Sequence, residues 1–321
     1  MFIGLDIGGT NIKALLTDRS GNILNYRKIL TGKNAKTTEE NITKVIDVLV
    51  SQQELRMNDI RAIGIGAAGT INSEKGVVIT SPNIPYWKNY PIGRIIQKKT
   101  GTAVILENDA TAAVVGEWWK GNGRKYRNWI MLTLGTGIGG GAIIDNNIYT
   151  GKSGSSMEFG HTTIDYRGKR CSCGNRGCLE QYASASAAVR LARRDLKKFP
   201  ASSIRERIKT EKLTAKLIYE EAIQGDVFAN RVFQRVATYL GYGIVNLVNI
   251  FDPEAVILAG GLSRAHKLII PVVRDVVRAR ALPGLKENIR YLVIKDEEKS
   301  PALGAAKLAM DKAQRASSKT G

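Results

Sequence analysis

The sequence predicts an α/β protein of two related domains, on three observations. An apolar strand that ends in a Gly/Thr-rich turn and leads straight back into a second strand occurs twice, at residues 2–18 and again at 129–145. Elsewhere, short apolar runs alternate with amphipathic helical stretches. At 321 residues the chain exceeds one comfortable hydrophobic core, and 43% apolar content is ample for two.

Taken in order, the opening reads as a β-meander: a strand from Phe2 to Ile7, a second from Ile12 to Asp18, a Ser20-Gly21-Asn22 turn and a third strand to Leu30. A helix near Thr38–Glu54, a strand at Ala62–Gly66, a Pro-rich loop at Ser81–Pro91 and a strand at Ala103–Glu107 follow. Asn108-Asp109 then opens a helix to about Trp119. The theme restarts with Trp129–Leu134, a glycine run, a strand to Asp145 and an Asn146-Asn147 turn. Helical patterns cover 185–198, 213–224 and 228–251, a buried strand 255–258, a helix 266–281, a strand 289–294 and a closing helix 302–310. Residues 314–321 read as frayed. The expected division is residues 1–117, with the closing helix at 302–313 packing back on them, and residues 118–301.

No apolar run reaches the roughly 18 residues that cross a bilayer, and no signal-peptide pattern opens the chain, so a cytoplasmic protein is expected. Forty-eight Lys plus Arg against 29 Asp plus Glu leave +19, which raises nucleic-acid binding as an alternative. Between Arg190 and Lys216 lie ten basic and three acidic residues, with no aromatic beyond Phe199 to stack on bases, so this run reads as a solvated helix face.

Two glycine turns point toward phosphate. Asp6-Ile7-Gly8-Gly9-Thr10 sets a carboxylate at a strand end before two glycines that let backbone N–H groups approach an anion, although a plain hairpin turn reads equally well. Gly135-Thr136-Gly137-Ile138-Gly139-Gly140-Gly141, five glycines in seven residues, is a poor way merely to turn a chain. Neither is a P-loop and neither opens a helix as a dinucleotide fingerprint does. Gly260-Gly261 could flank a base or ribose. Asp109 alone would be read as a helix N-cap. Beside two phosphate loops it becomes a candidate base for phosphoryl transfer to an alcohol, with Asp6 holding Mg²⁺ through water.

All three cysteines fall between 171 and 178, an odd number that forms no disulfide framework. With His161, one of only two histidines, Cys171, Cys173 and Cys178 make a Cys₃His set for structural Zn²⁺. Four protein ligands leave no open position, so the ion would build a loop that fixes Glu158 and Glu180 as two carboxylates for neighbouring sugar hydroxyls.

In order, Asp6-Ile-Gly-Gly-Thr10, Glu107-Asn-Asp-Ala110, Leu134-Gly-Thr-Gly-Ile-Gly-Gly-Gly141, Glu158-Phe-Gly-His161 and the Cys-x-Cys-Gly-x-x-Gly-Cys-x-Glu run to Glu180 resemble the ROK family of repressors and sugar kinases, as far as Ser300–Ala306. The resemblance implies a two-domain, actin-like (ribonuclease H-like) α/β ATPase fold with an interdomain cleft. It also implies a kinase that moves the terminal phosphoryl group of ATP onto a hexose, glucose first and N-acetylglucosamine or N-acetylmannosamine as alternatives. It places sugar contacts on Gly69, Asn83, Asn108, Asp109, Glu158, His161 and Glu180, zinc ligands on His161, Cys171, Cys173 and Cys178, and the catalytic base on Asp109. ATP and Mg²⁺ fall to Asp6, Gly8, Gly9, Thr10, Lys13, Thr133, Gly135, Thr136, Gly137, Gly260 and Gly261. A homodimer or higher homo-oligomer is expected from the same resemblance. Ala68-Gly69 stands where family members carry Pro-Gly, which leaves that loop less rigid. Repressors of the family carry a helix-turn-helix ahead of the first strand; here the phosphate loop begins at residue 6, so a non-catalytic sugar sensor or nucleic-acid regulator is the secondary expectation.

Overall fold

The computed structural model describes residues 1–152 and 156–317 and divides into two compact units. The first comprises residues 1–125, 150–156 and the segment from Ile294 onward; the second comprises 126–149 and 157–293.

In the first unit, β1 (Phe2–Ile7), β2 (Asn11–Thr17) and β3 (Ile23–Leu30) form the expected meander. Helix α1 (Ala35–Ser51) starts at a capping box, in which Asn34 Oδ1 accepts from the Thr37 N–H at 2.9 Å and Thr37 Oγ1 from the Asn34 N–H at 3.3 Å. The chain continues through β4 (Ala62–Ala67), parallel to β1, and then β5 (Thr70–Asn72), β6 (Val77–Thr80) and β7 (Lys88–Tyr90). These last three make a small antiparallel sheet, partly within the stretch read from sequence as loop. Strands of three or four residues, interrupted by Pro and Gly, carry too little periodicity to be recognised. Helix α2 (Ile92–Thr100), β8 (Val104–Asn108) and α3 (Asp109–Lys120) follow, and the main sheet has the order β3-β2-β1-β4-β8.

The second unit repeats that order. Strands β9 (Trp129–Leu134), β10 (Ile138–Ile144) and β11 (Asn147–Ile148) form the antiparallel part, and β12 (Ala255–Ala259) and β13 (Arg290–Val293) the parallel part, giving β11-β10-β9-β12-β13. The two units thus share one strand order, as two related domains would. Between β11 and β12 come α4 (Glu180–Ala183), α5 (Ala185–Asp195), α6 (Ile204–Arg207), α7 (Ala215–Ile223) and the long α8 (Val227–Phe251); α9 (His266–Arg280) precedes β13. The buried face of α8, including Phe228, Val232, Phe233, Val236 and Leu240, packs into one core with β9 and β12. The Thr214 and Asp226 side chains cap α7 and α8 by accepting from the Leu217 and Ala229 N–H groups.

The C-terminal helix, Ser300–Ser317, belongs to the first unit. It runs past Gln314, where fraying was expected, to Ser317; residues 318–321 lie outside the described residues. Its backbone comes against positions that have no side chain. A Cβ at Gly4 would lie 1.8 Å from the Ala302 carbonyl oxygen, one at Gly64 1.8 Å from that of Ala305, and one at Gly116 of α3 2.0 Å from that of Ser300. The fully buried Glu117 carboxylate secures the same joint, accepting from the Ser300 hydroxyl at 2.9 Å and from the Lys295 and Asn122 N–H groups at 3.1 and 2.9 Å. Backbone cannot retreat from a new methyl as a flexible side chain can, so Gly64→Ala should destabilise the first unit by about 3 kcal/mol. Gly261→Ala, whose Cβ meets nothing within 4 Å, serves as the control. Urea unfolding that gives both variants the same midpoint would refute this account of the packing.

Candidate active site

In the first unit, the strand register puts Asp6 of β1 between Lys13 of β2 and Gly66 of β4. The Lys13 ammonium donates to Asp6 Oδ2 at 2.9 Å, with the two side chains 24% and 12% exposed. Gly66 lets α3 start close over the sheet: a Cβ there would be 3.2 Å from the Ala112 Cβ and 3.7 Å from the Asp109 Cα. Asp109 is thereby half-buried within reach of the Asp6 charge. Burial first, and Asp6 second, push its carboxyl up to about 6, against a smaller opposing pull from backbone N–H groups and Lys13.

The cap of α3 is Asn108, not Asp109. Asn108 Oδ1 accepts from the N–H groups of Ala110 at 2.9 Å and Thr111 at 3.2 Å, and its Nδ2 donates to the Gly69 carbonyl at 3.0 Å. Asp109 Oδ1 shares only the Ala110 N–H, at 2.8 Å. Gly69 sits at φ +120, where a Cβ would lie 2.1 Å from the Thr80 carbonyl oxygen, so the turn that presents its carbonyl to Asn108 requires glycine.

The Gly8-Gly9-Thr10 turn is more tied down than a bare anion cradle. The Gly8 N–H donates to the Asn11 carbonyl at 3.0 Å, the Gly8 carbonyl accepts from the Thr31 hydroxyl at 2.7 Å, and the Thr10 carbonyl accepts from the Thr31 N–H at 2.9 Å. Gly9 has a packing reason as well, since its Cβ would fall 2.5 Å from the Asn83 carbonyl oxygen. Asn83 itself is exposed beside this turn. Sequence reasoning assigned no role to Glu107, one residue earlier on β8. Its Oε1 accepts from the Asn108 N–H at 2.8 Å and its Oε2 from the Ser73 hydroxyl at 3.2 Å, while burial raises its carboxyl. Only the Glu-Asn-Asp adjacency hinted at it.

The second unit gathers the other predicted residues. Thr133 of β9 is registered between Gly139 of β10 and Ala259 of β12, so the loop beginning at Leu134 emerges beside Gly260-Gly261. A Cβ at Gly260 would lie 2.6 Å from the Leu134 carbonyl oxygen. The Gly135 N–H closes on the Gly137 carbonyl at 3.0 Å across Thr136, and the Gly135 carbonyl accepts from the Ala185 N–H at 2.9 Å. Glu180 comes to the same loop: a Cβ at Gly137 would be 2.6 Å from Glu180 Oε2. Gly140 makes room for the Phe159 ring, which docks the short turn carrying Glu158 and His161 onto β10. Glu158 is exposed, and its carbonyl accepts from the His161 N–H at 2.9 Å.

Ligand atoms of His161, Cys171, Cys173 and Cys178 all lie within 4.8 Å of one another. The Cys173 and Cys178 sulfurs are 3.7 Å apart, as are Cys171 Sγ and His161 Nδ1. A tetrahedron with metal–sulfur bonds of about 2.3 Å has S–S edges of about 3.8 Å, so the set fits one tetrahedral metal. Burial, then the adjacent Cys173 and Cys171 thiols, push Cys178 up to about 12. A Cys178 thiolate would therefore persist here only beside a cation. Glu180 Oε1 accepts from Cys171 Sγ at 3.1 Å and from Gln181 Nε2 at 3.3 Å, which links the cluster to the glycine loop.

A model of the ROK family matches residues 2–312. A glucokinase of Thermotoga maritima is 36% identical over 310 residues, 95% of this chain and 96% of that protein. A xylose repressor of Bacillus subtilis is 32% identical over 310 residues, 96% of this chain and 77% of that protein. A ROK family glucokinase of Streptomyces griseus, solved with glucose and AMPPNP, superposes with a TM-score of 0.80 at 34% identity, covering 97% of this chain and 99% of that one. The two-domain actin-like fold expected from the sequence is the fold of these relatives. Among the described residues no helix is long and apolar enough to cross a membrane.

The raised Asp109 carboxyl has a thermodynamic consequence. A group whose folded pKa exceeds its unfolded value favours the fold at low pH and loses that contribution as pH rises from about 4 through about 6. Asp109→Asn should therefore raise stability at pH 8 by on the order of 2 kcal/mol and leave it nearly unchanged at pH 4. An equal change at both pH values in thermal melts would show that Asp109 is not held at a cost.

Proposed function

The chain belongs to the ROK family, and we propose that it is an ATP-dependent hexose kinase whose acceptor is the 6-hydroxyl of glucose. The observation that carries the reading is Asp109, a half-buried carboxylate relieved of capping by Asn108 and set beside Asp6, with its pKa near 6. Such a group is ionised at neutral pH and still basic enough to take a hydroxyl proton. Glucose is favoured over the N-acetylated hexoses by the Thermotoga maritima glucokinase and by the glucose-bound Streptomyces griseus structure.

In the step itself the hexose hydroxyl oxygen attacks the γ-phosphorus, its proton passes to Asp109, and the bond to the bridging oxygen of ADP breaks. Phosphoryl transfer needs little more from the protein than position and charge. Lys13 supplies a fixed cation beside Asp6; Gly9 and Thr10 in the first unit, and Thr133, Thr136 and Gly137 in the second, present backbone and hydroxyl groups to the phosphates, in turns closed by the Gly8 and Gly135 N–H groups, with Gly260-Gly261 beside the nucleoside. Mg²⁺ offsets phosphate charge when bound, and Asp6, with Oδ2 taken by Lys13, would hold it through Oδ1 and water. Gly69, Asn83, Asn108, Glu158, His161 and Glu180 position the sugar. His161 can serve twice, because Nδ1 lies in the thiol cluster and Nε2 is left for a hydroxyl. Zn²⁺ bound by His161, Cys171, Cys173 and Cys178 would be structural, keeping Glu180 aligned over Gly137.

Asp109→Asn should lower kcat about 10²–10⁴-fold with little effect on glucose affinity. In the wild-type protein kcat should fall as pH drops through about 6, since the base must be ionised. ADP release across a panel of hexoses tests both; near-wild-type turnover in the variant would sink the assignment. A folded, metal-loaded protein that binds glucose without turnover would favour the sugar-sensing reading, which the Bacillus subtilis repressor keeps in view.

Removing the metal with a chelator, or His161→Ala, should raise the KM for hexose more than that for ATP. Equal losses for both substrates would contradict a loop that serves the sugar.

A further inference from the structure

The surplus positive charge is unevenly spread over the second unit. In the second half of the 190–216 run, Arg207 pairs with Glu211, Glu220 and Glu221, Lys209 with Glu206 and Lys216 with Glu220. The first half differs. Arg190, Arg193, Arg194, Lys197 and Lys198, all exposed, share α5 and the turn after it with one carboxylate, Asp195. Arg194 grips that carboxylate through two bonds, at 2.8 and 2.6 Å, and Arg235 of α8 approaches it at 4.0 Å.

Lys169, from the metal loop, is brought to the same ground by two tyrosines: Tyr182, which follows the Arg190-bound Gln181, and Tyr239, one helical turn after Arg235 on α8. Four cations from three separate segments thus converge, with Asp195 among them. Tyr182 and Tyr239 pack against each other there with centroids 4.9 Å apart, and Lys169 Nζ lies 5.5 Å from the Tyr182 ring. The Tyr182 hydroxyl accepts from the Lys169 N–H at 2.8 Å and donates to Asp165 at 3.3 Å. Like charges gathered this way raise the free energy of the bare surface and lower it when a multiply charged anion arrives. Arginine forks suit phosphate oxygens in particular.

The cluster is also wired inward. Arg190 Nη2 donates to the Gln181 carbonyl at 3.0 Å and to its Oε1 at 3.2 Å, while Gln181 Nε2 donates to Glu180 Oε1 at 3.3 Å and Cys171 Sγ at 3.5 Å. An anion that engages Arg190 competes with Gln181 for it, and the amide that steadies Glu180 is loosened. The tyrosines pack on each other and are not splayed to receive bases, which fits a small ligand better than a nucleic acid.

We propose that Lys169, Arg190, Arg194 and Arg235 form a binding site for a small phosphate-bearing anion of two or more charges, and that its occupancy is felt at Glu180 through Arg190 and Gln181. The coupling rests on the hexose-kinase reading; the binding does not.

Calorimetric titration of the metal-loaded full chain at saturating AMPPNP, with inorganic tripolyphosphate and separately with fructose 1,6-bisphosphate, tests the site. One saturable site should appear for at least one probe, and which probe binds tells an inorganic from a sugar-borne source. Its affinity should fall about tenfold or more in the Arg194→Gln/Arg235→Gln double variant, which keeps basal kinase activity. No saturable heat with either probe, equal affinity in both proteins, or tighter binding of duplex DNA than of either probe overturns the site. The bound probe should shift the KM for glucose at least about threefold in the wild type and not in Gln181→Ala. An unmoved KM with binding intact overturns the coupling, whereas binding by a protein with no turnover on any hexose counts against the kinase reading and not against the site.

Discussion

The first unit depends on backbone meeting backbone. The C-terminal helix lies so close to β1, β4 and α3 that the carbonyls of Ala302, Ala305 and Ser300 occupy the space side chains would take at Gly4, Gly64 and Gly116. Glu117 adds a buried carboxylate saturated by hydrogen bonds across the same joint. The helix held in this way begins with Asp109, so the position of the proposed base over Asp6 is set by the packing of a segment nearly two hundred residues later in the chain. Rigid support of this kind suits a group whose protonation depends on where it is held.

The second unit solves its positioning problem differently. Few apolar side chains lie in the loop that carries Glu158 and His161, and Phe159 is its main anchor to β10. The thiol and imidazole cluster supplies the cross-links that a loop of this polarity lacks. Because the Gln181 amide donates both to Cys171 Sγ and to Glu180, the cluster is tied to the carboxylate over Gly137. On the proposed reading, metal affinity and the geometry offered to a sugar would be parts of one equilibrium.

Much of this was legible in the sequence where the signal was local. The strand-turn-strand theme at 2–18 and 129–145 is written in short-range periodicity, and it returns as two sheets of the same strand order. The Cys₃His set is legible because few other arrangements employ three thiols and an imidazole so near one another. What escaped depends on tertiary register. Asn108 and Asp109 are both good N-caps, and only the end of β8 decides which of them is spent. Gly9 and Gly137 read as phosphate glycines, yet each also clears space for Asn83 or Glu180, partners 74 and 43 residues away. The even look of the 190–216 charge run hid a half rich in ion pairs and a half with a single carboxylate, because Glu220 and Glu221, which neutralise Arg207, lie beyond its end.

The return of the C-terminal helix to the first unit has a consequence for how the protein is made. All the strands and helices of the second unit precede residue 294, so that unit does not need the C-terminal helix in order to fold. The first unit, though it emerges earlier, waits with the apolar faces of β1 and β4 uncovered until the last helix arrives. A released chain ending before residue 300 would thus hold every strand and helix of the second unit beside an uncovered first one, and such a fragment is a natural client for chaperones or proteases.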